Sequence, residues 1–447
     1  MVQKVDLTVG TTPGDEPDEL THSYNQVSKA AFHDVMFIAS ALEQDVFPFA
    51  KIFHITPLDA ESAKLSASLV NNRTSQLVLN WRFVPALSVL HTLQRIQAKT
   101  RTNKITYLDI CFDDEDETVP KVLSPLGDTL NKLHSLEVLN LRSFTMCDQN
   151  IWENIQQLPR LRSLSIPALR GRPRLESCLM PMSTLGEGFP ALAQFRCALF
   201  YATASRLFSP PITKSQLQEI HLLVYQLFDA NQTNALVTEI ARTAPNLRYF
   251  GMDFTASEHA LEIEVFAPVL QLSSISSLVL RTNLAHDLTN EKFQLIVDAV
   301  PQLKMLSISP STAPDSTRPL ATLEFLSCIA RRCTSIQTIC VYVDASTERL
   351  PKYSTQLEQL PETLTELNFC LSISDDPLNT ALQLIRMLKH SQPRIYSLRI
   401  HKFLIRGAPY ESNRGVDATL RWYQVAECVR KLRPFCRCSG AVVGAVQ

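Results

Sequence analysis

Hydrophobic residues recur along this chain in one short frame. Residues 133–141 read Leu-His-Ser-Leu-Glu-Val-Leu-Asn-Leu, and residues 158–166 read Leu-Pro-Arg-Leu-Arg-Ser-Leu-Ser-Ile. The alternation at the end of each run predicts a short strand with one buried face. Between the two copies Ile151 and Ile155 stand four apart, as on one face of a helix. The predicted unit is therefore a strand, a turn, and a helix that returns the chain to the next strand.

Aligned on the first residue of the L-x-x-L-x-L core, the frame has anchors at Ala50, Thr74, Ile105, Leu136, Leu161, Leu192, Leu217, Leu247, Ile275, Leu303, Ile336, Leu364 and Ile395. The steps average about 29 residues, and Ala50 and Thr74 are the poorest core residues of the series. A second signal agrees with this register. Leu158-Pro-Arg-Leu, Phe189-Pro-Ala-Leu, Ala244-Pro-Asn-Leu, Val300-Pro-Gln-Leu and Gln392-Pro-Arg-Ile stand just before strands, and proline ends a helix and pushes its predecessor toward extended geometry. Helical stripes precede several of these corners: Leu236, Ile240 and Ala244; Phe293, Ile296 or Val297, and Val300; Leu378, Leu382, Ile385 and Leu388. A purely helical array is disfavoured by Leu278–Leu280 and Ile339–Val343, which are short and rich in β-branched residues.

These elements predict an α/β solenoid, in which length is added by stacking neighbours instead of by enlarging one core. Residues 1–22 are polar and are expected to be a disordered lead. Residues 23–48 carry Val27, Ala31, Val35, Ile38 and Leu42 on one stripe and are expected to cap the first repeat as a helix. Repeats fill 49–410. A closing helix within Asp417–Leu432 and a small-residue tail occupy 411–447.

Formal charge is −1 and the pI about 6.8, so no global field favours nucleic acid or an anionic membrane surface. No apolar run reaches the length of a membrane span. The eleven cysteines lack paired C-x-x-C spacing, so neither a zinc site nor a disulfide framework is expected, and a reducing compartment, cytoplasmic or nuclear, is. Cys197, Cys340 and Cys370 fall on repeat strands, where small apolar packing is expected. There is no P-loop, no dinucleotide fingerprint, no G-x-S-x-G elbow and no H-E-x-x-H, and the histidines stand singly. No catalysis and no cofactor are expected.

The repeat geometry does predict a binding surface. Side chains two, four and six positions after each anchor point away from the core, so successive strands line a concave face with them. The middle of that array mixes Arg, Tyr, His and acids, a composition that suits a protein interface, where Arg and aromatic residues carry the binding energy. A protein partner is expected there, centred on Arg142, Arg196, His221, Tyr249, Asp253 and Arg281. A second candidate is the basic insert with Arg170, Arg172 and Arg174, read either as a solvated loop or as a dock for an acidic or phosphorylated partner. The acidic run Asp113–Glu117 is read as a solvated loop, with a cation site as the weaker alternative.

With these strands and corners in place, the chain resembles the leucine-rich repeat proteins of the long-repeat, ribonuclease-inhibitor-like class, and among them the F-box type. The resemblance rests on Pro-x-Leu-x-x-Leu-x-Leu at 159–166 and 301–308 and covers roughly residues 100–405. It implies a horseshoe with a parallel sheet on the concave side and helices on the convex side. It also implies a substrate receptor that meets a cullin ligase adaptor through an N-terminal F-box, or, more remotely, a GTPase regulator. Pro17-Asp-Glu-Leu20 resembles an F-box start, but no Cys-x-x-Trp ending follows, and Trp81 is the first tryptophan. The asparagine expected after each strand stands at Asn283, with Asp113, Ser311, Asp344 and Ser372 in its place elsewhere.

Overall fold

The computed structural model describes residues 4–9, 26–27, 49–57, 70–81, 86–99, 104–112, 119–142, 149–166, 188–209, 214–225, 229–254, 262–282, 287–310, 318–350, 358–369, 374–388, 397–398, 424–425, 427–429 and 431. It divides into two compact units, Met1–Leu217 and Gln218–Gln447.

The first unit holds strands β1 (Lys4–Val9), β2 (Gln26–Val27), β3 (Ile52–Pro57), β4 (Gln76–Trp81), β5 (Tyr107–Phe112), β6 (Val138–Arg142), β7 (Ser163–Ile166) and β8 (Gln194–Phe200). Helices α1 (Ala86–Lys99), α2 (Val119–Asn131), α3 (Gln149–Gln156) and α4 (Tyr201–Phe208) belong to the same unit. The strands are all parallel, in the order β2-β1-β3-β4-β5-β6-β7-β8.

The second unit repeats the plan with β9 (Glu219–Tyr225), β10 (Tyr249–Phe254), β11 (Ser277–Arg281), β12 (Met305–Ser309), β13 (Thr338–Val341), β14 (Glu366–Asn368) and β15 (Ser397–Leu398), in chain order and all parallel. Its helices are α5 (Ala230–Thr243), α6 (Ala267–Leu270, after a 3-10 turn at Ile263–Phe266), α7 (Asn290–Ala299), α8 (Phe325–Arg332) and α9 (Pro377–Met387). Each unit is thus an open parallel sheet whose strands alternate with helices, a solenoid-like repetition.

The repeat is built at its corner. In Leu158-Pro-Arg-Leu161 the Leu161 N–H donates to the Leu158 carbonyl, and the same i→i+3 bond closes Phe189–Leu192, Ala244–Leu247 and Val300–Leu303. Proline is the second residue of each of these four turns, the place where its fixed φ is already right for a turn. The anchor that closes the turn is buried in all ten repeats from Ile105 to Leu364. Ala50 and Thr74, the poor core residues, are buried as well, at 0 % and 1 % exposure.

Two residues after every anchor, from Ala50 to Ile395, a strand begins. The starts of β4–β8 and β10–β14 are tied backward by a doubled bond. The N–H groups of Ser75 and Gln76 both donate to the Lys51 carbonyl (2.9 and 3.0 Å), those of Glu137 and Val138 to Thr106, and those of Ser276 and Ser277 to Arg248. A hydroxyl often joins the same acceptor, as with Thr106 on Ser75 (3.2 Å) and Thr365 on Gln337 (3.0 Å).

Beneath the strands the core is apolar. In the first unit Trp152 packs edge-on against Phe189 (5.2 Å) and Phe195 (6.4 Å). Phe189 adopts φ 55°, alone among the described non-glycine residues; its full burial and its N–H bond to Gln156 (2.8 Å) hold it in that costly conformation. In the second unit Phe293 and Phe325 join α7 to α8 at 4.7 Å. Helix starts there are capped by side chains, Asp229 on Gln232, Thr289 on Lys292 and Asp376 on Asn379.

Four expectations change. Lys4–Val9 is a strand, where a disordered lead was expected, because its backbone finds a partner in β3. Gln26 and Val27 are also strand, paired to β1, and so do not belong to the helix expected over 23–48; the rest of that segment before Phe49 lies outside the described residues. On α9 the buried face carries Thr380, Ala381, Leu384, Ile385 and Met387, while Leu378 is 51 % exposed. Asp376 and Pro377 set where that helix starts and so rotate Leu378 outward. Cys340 occupies an outward strand position and is half-buried, whereas Cys197 faces the core, where burial pushes its thiol pKa far up. Cys370 and the corner at Gln392–Ile395 lie outside the described residues. Of the closing helix, residues 424–425, 427–429 and 431 are helical, with Val425 and Val429 buried.

Candidate functional site

The strands alternate as the pattern requires. Along β9 Ile220, Leu222 and Val224 are buried, and Glu219, His221, Leu223 and Tyr225 are half-buried on the other side. Parallel register sets neighbours beside each other: His221 lies opposite Gly251, Tyr249 opposite Glu219, and Asp253 opposite Arg281.

Those pairings draw four of the expected residues together in the second unit. The Tyr249 hydroxyl meets His221 Nδ1 at 3.4 Å. His221 Nε2 lies 3.5 Å from Asp253 Oδ2, and Arg281 Nη1 lies 3.7 Å from the same oxygen. A neutral imidazole with its proton on Nε2 satisfies both of its contacts, donating toward Asp253 and accepting from Tyr249. Asp253 Oδ1 is buried and finds no hydrogen-bond partner among the described residues. Arg281 remains 46 % exposed and His221 27 %.

Gly251 makes this arrangement possible. A Cβ at that position would stand 2.8 Å from His221 Cγ and 3.1 Å from Tyr249 Cε1. Only a residue without a side chain lets the imidazole lie across the strand. Gly251 was not among the residues singled out from the pattern, although a glycine inside a run of strand formers marks a close approach.

Arg142 and Arg196 lie on the first unit. Arg142 Nη2 donates to Asp109 Oδ2 at 2.6 Å. The same oxygen accepts from Asn140 Nδ2 and from the Tyr107 hydroxyl, both at 3.4 Å, and Asn140 also donates to that hydroxyl at 3.0 Å. Burial opposes the charge on Arg142, but the hydrogen bond and charge of Asp109 outweigh it, and its pKa lies above the usual value. Burial, then the charge of Asp109, raises the Tyr107 pKa. Tyr107, Asp109 and Asn140 were visible as outward positions, yet nothing in the pattern showed that they lock Arg142 in place. Arg196 stands on β8 opposite Ser165 and is exposed.

Other outward positions are closed. Tyr342 and Asn368 are each 2 % exposed. Arg170, Arg172 and Arg174, like Asp113–Glu117, lie outside the described residues. Among the described residues no group of three or more His, Cys, Asp or Glu could hold a metal ion, and no helix is long and apolar enough to cross a membrane.

Chemically, each cluster is a polar platform in which a carboxylate at the sheet surface stands beside a half-exposed arginine, closely at Arg142 and more loosely at Arg281. No known family model matches this chain, and no curated protein matches its sequence.

Proposed function

We propose that this chain is a non-catalytic interaction scaffold of the leucine-rich repeat type, curved so that its outward strand residues line a concave face, and that it docks a protein partner there. The observation that carries this reading is the contact set His221–Tyr249–Asp253–Arg281. It places an aromatic, an imidazole and a guanidinium side by side on three adjacent strands, with contacts of 3.4 to 3.7 Å and each partly open to solvent. Tyr and Arg are the usual anchors of protein interfaces. In the first unit Arg142, fixed by Asp109, and Arg196 are the corresponding outward candidates.

Recovery of partners on wild-type chain and on a Tyr249→Ala/Arg281→Ala variant tests it. The variant is expected to bind at least about thirtyfold more weakly, on the order of 2 kcal/mol, at an almost unchanged melting temperature. A variant that keeps both its melting temperature and every partner overturns the reading. The resemblance to F-box repeat proteins supplies a second reading, a substrate receptor, which requires a cullin and its adaptor among the recovered proteins.

A further inference from the structure

The sheet of the first unit departs from its own order at one place. From β3 to β8 each strand lies beside its predecessor in the chain, but β1 sits between β2 and β3. It pairs with β3 without a break, from Lys4 opposite Ile52 to Val9 opposite Pro57. On its other side only Thr8 and Val9 are matched, opposite Gln26 and Val27. β1 is therefore held chiefly through main-chain pairing to β3, the manner in which a sheet edge accepts a separate strand.

The sequence suits the role. Lys4-Val-Asp-Leu-Thr-Val9 alternates polar and β-prone apolar residues, and its register sets Val5 and Leu7 opposite Phe53 and Ile55, which are fully buried. The connection from residue 10 to residue 51 can span on the order of 100 Å when extended. Its length does not tie β1 to the β3 of its own molecule. Replacing one β1 by an identical one preserves each main-chain bond of β3, so the exchange costs little beyond association.

We propose that the β3 edge is a strand-acceptor site whose alternative occupant is β1 of a second copy of this chain, giving a reciprocal strand-exchanged dimer. A foreign strand would have to reproduce a register that this hexapeptide already completes over six residues. A second copy supplies it by identity. The exchange is independent of the partner-binding face and doubles the number of such faces in one particle, which raises avidity for a multivalent partner.

Cross-linking tests the exchange, because Asp6 lies opposite His54. Asp6→Cys chain and His54→Cys chain are purified apart, mixed over a concentration series, and treated with a short bis-maleimide. Peptide mapping distinguishes a 6–54 link from links at native cysteines. In the mixture that link joins two molecules by necessity, and it is expected to grow with concentration and to fall when wild-type chain competes. The Asp6→Cys/His54→Cys double variant is expected to link within one molecule at high dilution. A double variant that links beside a mixture that does not refutes the exchange; no link in either refutes the β1–β3 pairing and the proposal with it. Light scattering gives a reading free of cysteine substitutions. Wild-type chain should pass from monomer to dimer with concentration, whereas Asp6→Pro/Leu7→Pro, which removes a main-chain donor facing β3, should stay monomeric. A wild-type chain that stays monomeric, or a proline variant that still dimerises, overturns the proposal.

Discussion

Asp109 in the first unit and Asp253 in the second are two solutions to one problem, a carboxylate on the outward side of a parallel sheet. Both have a tyrosine on their own strand and an arginine on the next. Around Asp109 the shell is complete: Arg142 at 2.6 Å, with Asn140 and Tyr107 converging on the same oxygen. Around Asp253 it is not. His221 and Arg281 approach only to 3.5 and 3.7 Å, and the second oxygen is buried without a partner. The difference traces to what stands between tyrosine and aspartate or beside them. Asn140 bridges Tyr107 to Asp109, while Gly251 leaves a gap that His221 fills from the adjacent strand. A saturated cluster is a structural tie. An unsaturated one gives up less when an incoming group draws its part-exposed His221 and Arg281 into new contacts.

The largest effects test the frame common to both. Leu139→Ala beneath β6 and Leu306→Ala beneath β12 should each cost about 2–5 kcal/mol in thermal or chemical denaturation, since both side chains are fully buried. The contrast itself is read from the two carboxylates. Asp109→Ala strips three donors of their acceptor and should cost about 1–3 kcal/mol, whereas Asp253→Ala removes long contacts and an unpartnered oxygen and should cost well under about 1 kcal/mol. Equal losses at the two sites would erase the distinction.

Gly251→Ala sharpens the comparison from the other side. Its new Cβ must displace His221, so partner binding should weaken about tenfold, some 1.4 kcal/mol, with little change in melting temperature. The smallest effect is expected at high pH. Burial, helped by Asp109, raises the Tyr107 pKa above its ordinary value of 10.0 in the folded chain, and burial and Asp344 push Tyr342 up to about 12. The folded state then holds protons that the unfolded state releases, so this stability is complete below about pH 10 and is lost as pH rises through the folded values. Tyr107→Phe and Tyr342→Phe should each flatten the fall in alkaline denaturation curves, and a slope unchanged in both variants would refute the assignment.

Most of the frame could be read from the pattern because inward positions answer to a single demand, exclusion of water. Leu136, Leu139 and Leu141 recur with a spacing that only a strand entered through a tight turn can bury, and even Ala50 and Thr74 keep that register. Lys4–Val9 carries a strand's alternation but stands outside the anchored frame, and its pairing with β3 is a long-range main-chain interaction that the local pattern does not locate. Leu378 was misplaced because three-to-four spacing gives the stripe but not its rotation, which the Asp376 cap sets. At the candidate site the residue types His221, Tyr249, Asp253 and Arg281 were legible as outward positions. Their contacts, and the saturation of Asp109, depend on sub-ångström packing around Gly251 and Asn140 that periodicity does not encode.

The doubled bond at the starts of β4–β8 and β10–β14 has a consequence for how the chain is made. Both donors belong to the newer strand and the acceptor to the older one: Arg162 and Ser163 reach back to Glu137, Lys304 and Met305 to Ser276, Gln337 and Thr338 to Lys304. A nascent repeat therefore finds its template already synthesised. At about 5–20 residues per second, a repeat of some 29 residues leaves the ribosome over roughly 1.5–6 s, long beside the microseconds to milliseconds in which a hairpin-sized element settles. From β3 to β8 and from β9 to β15 the order of translation can serve as the order of assembly, with the open edge on the side still being built.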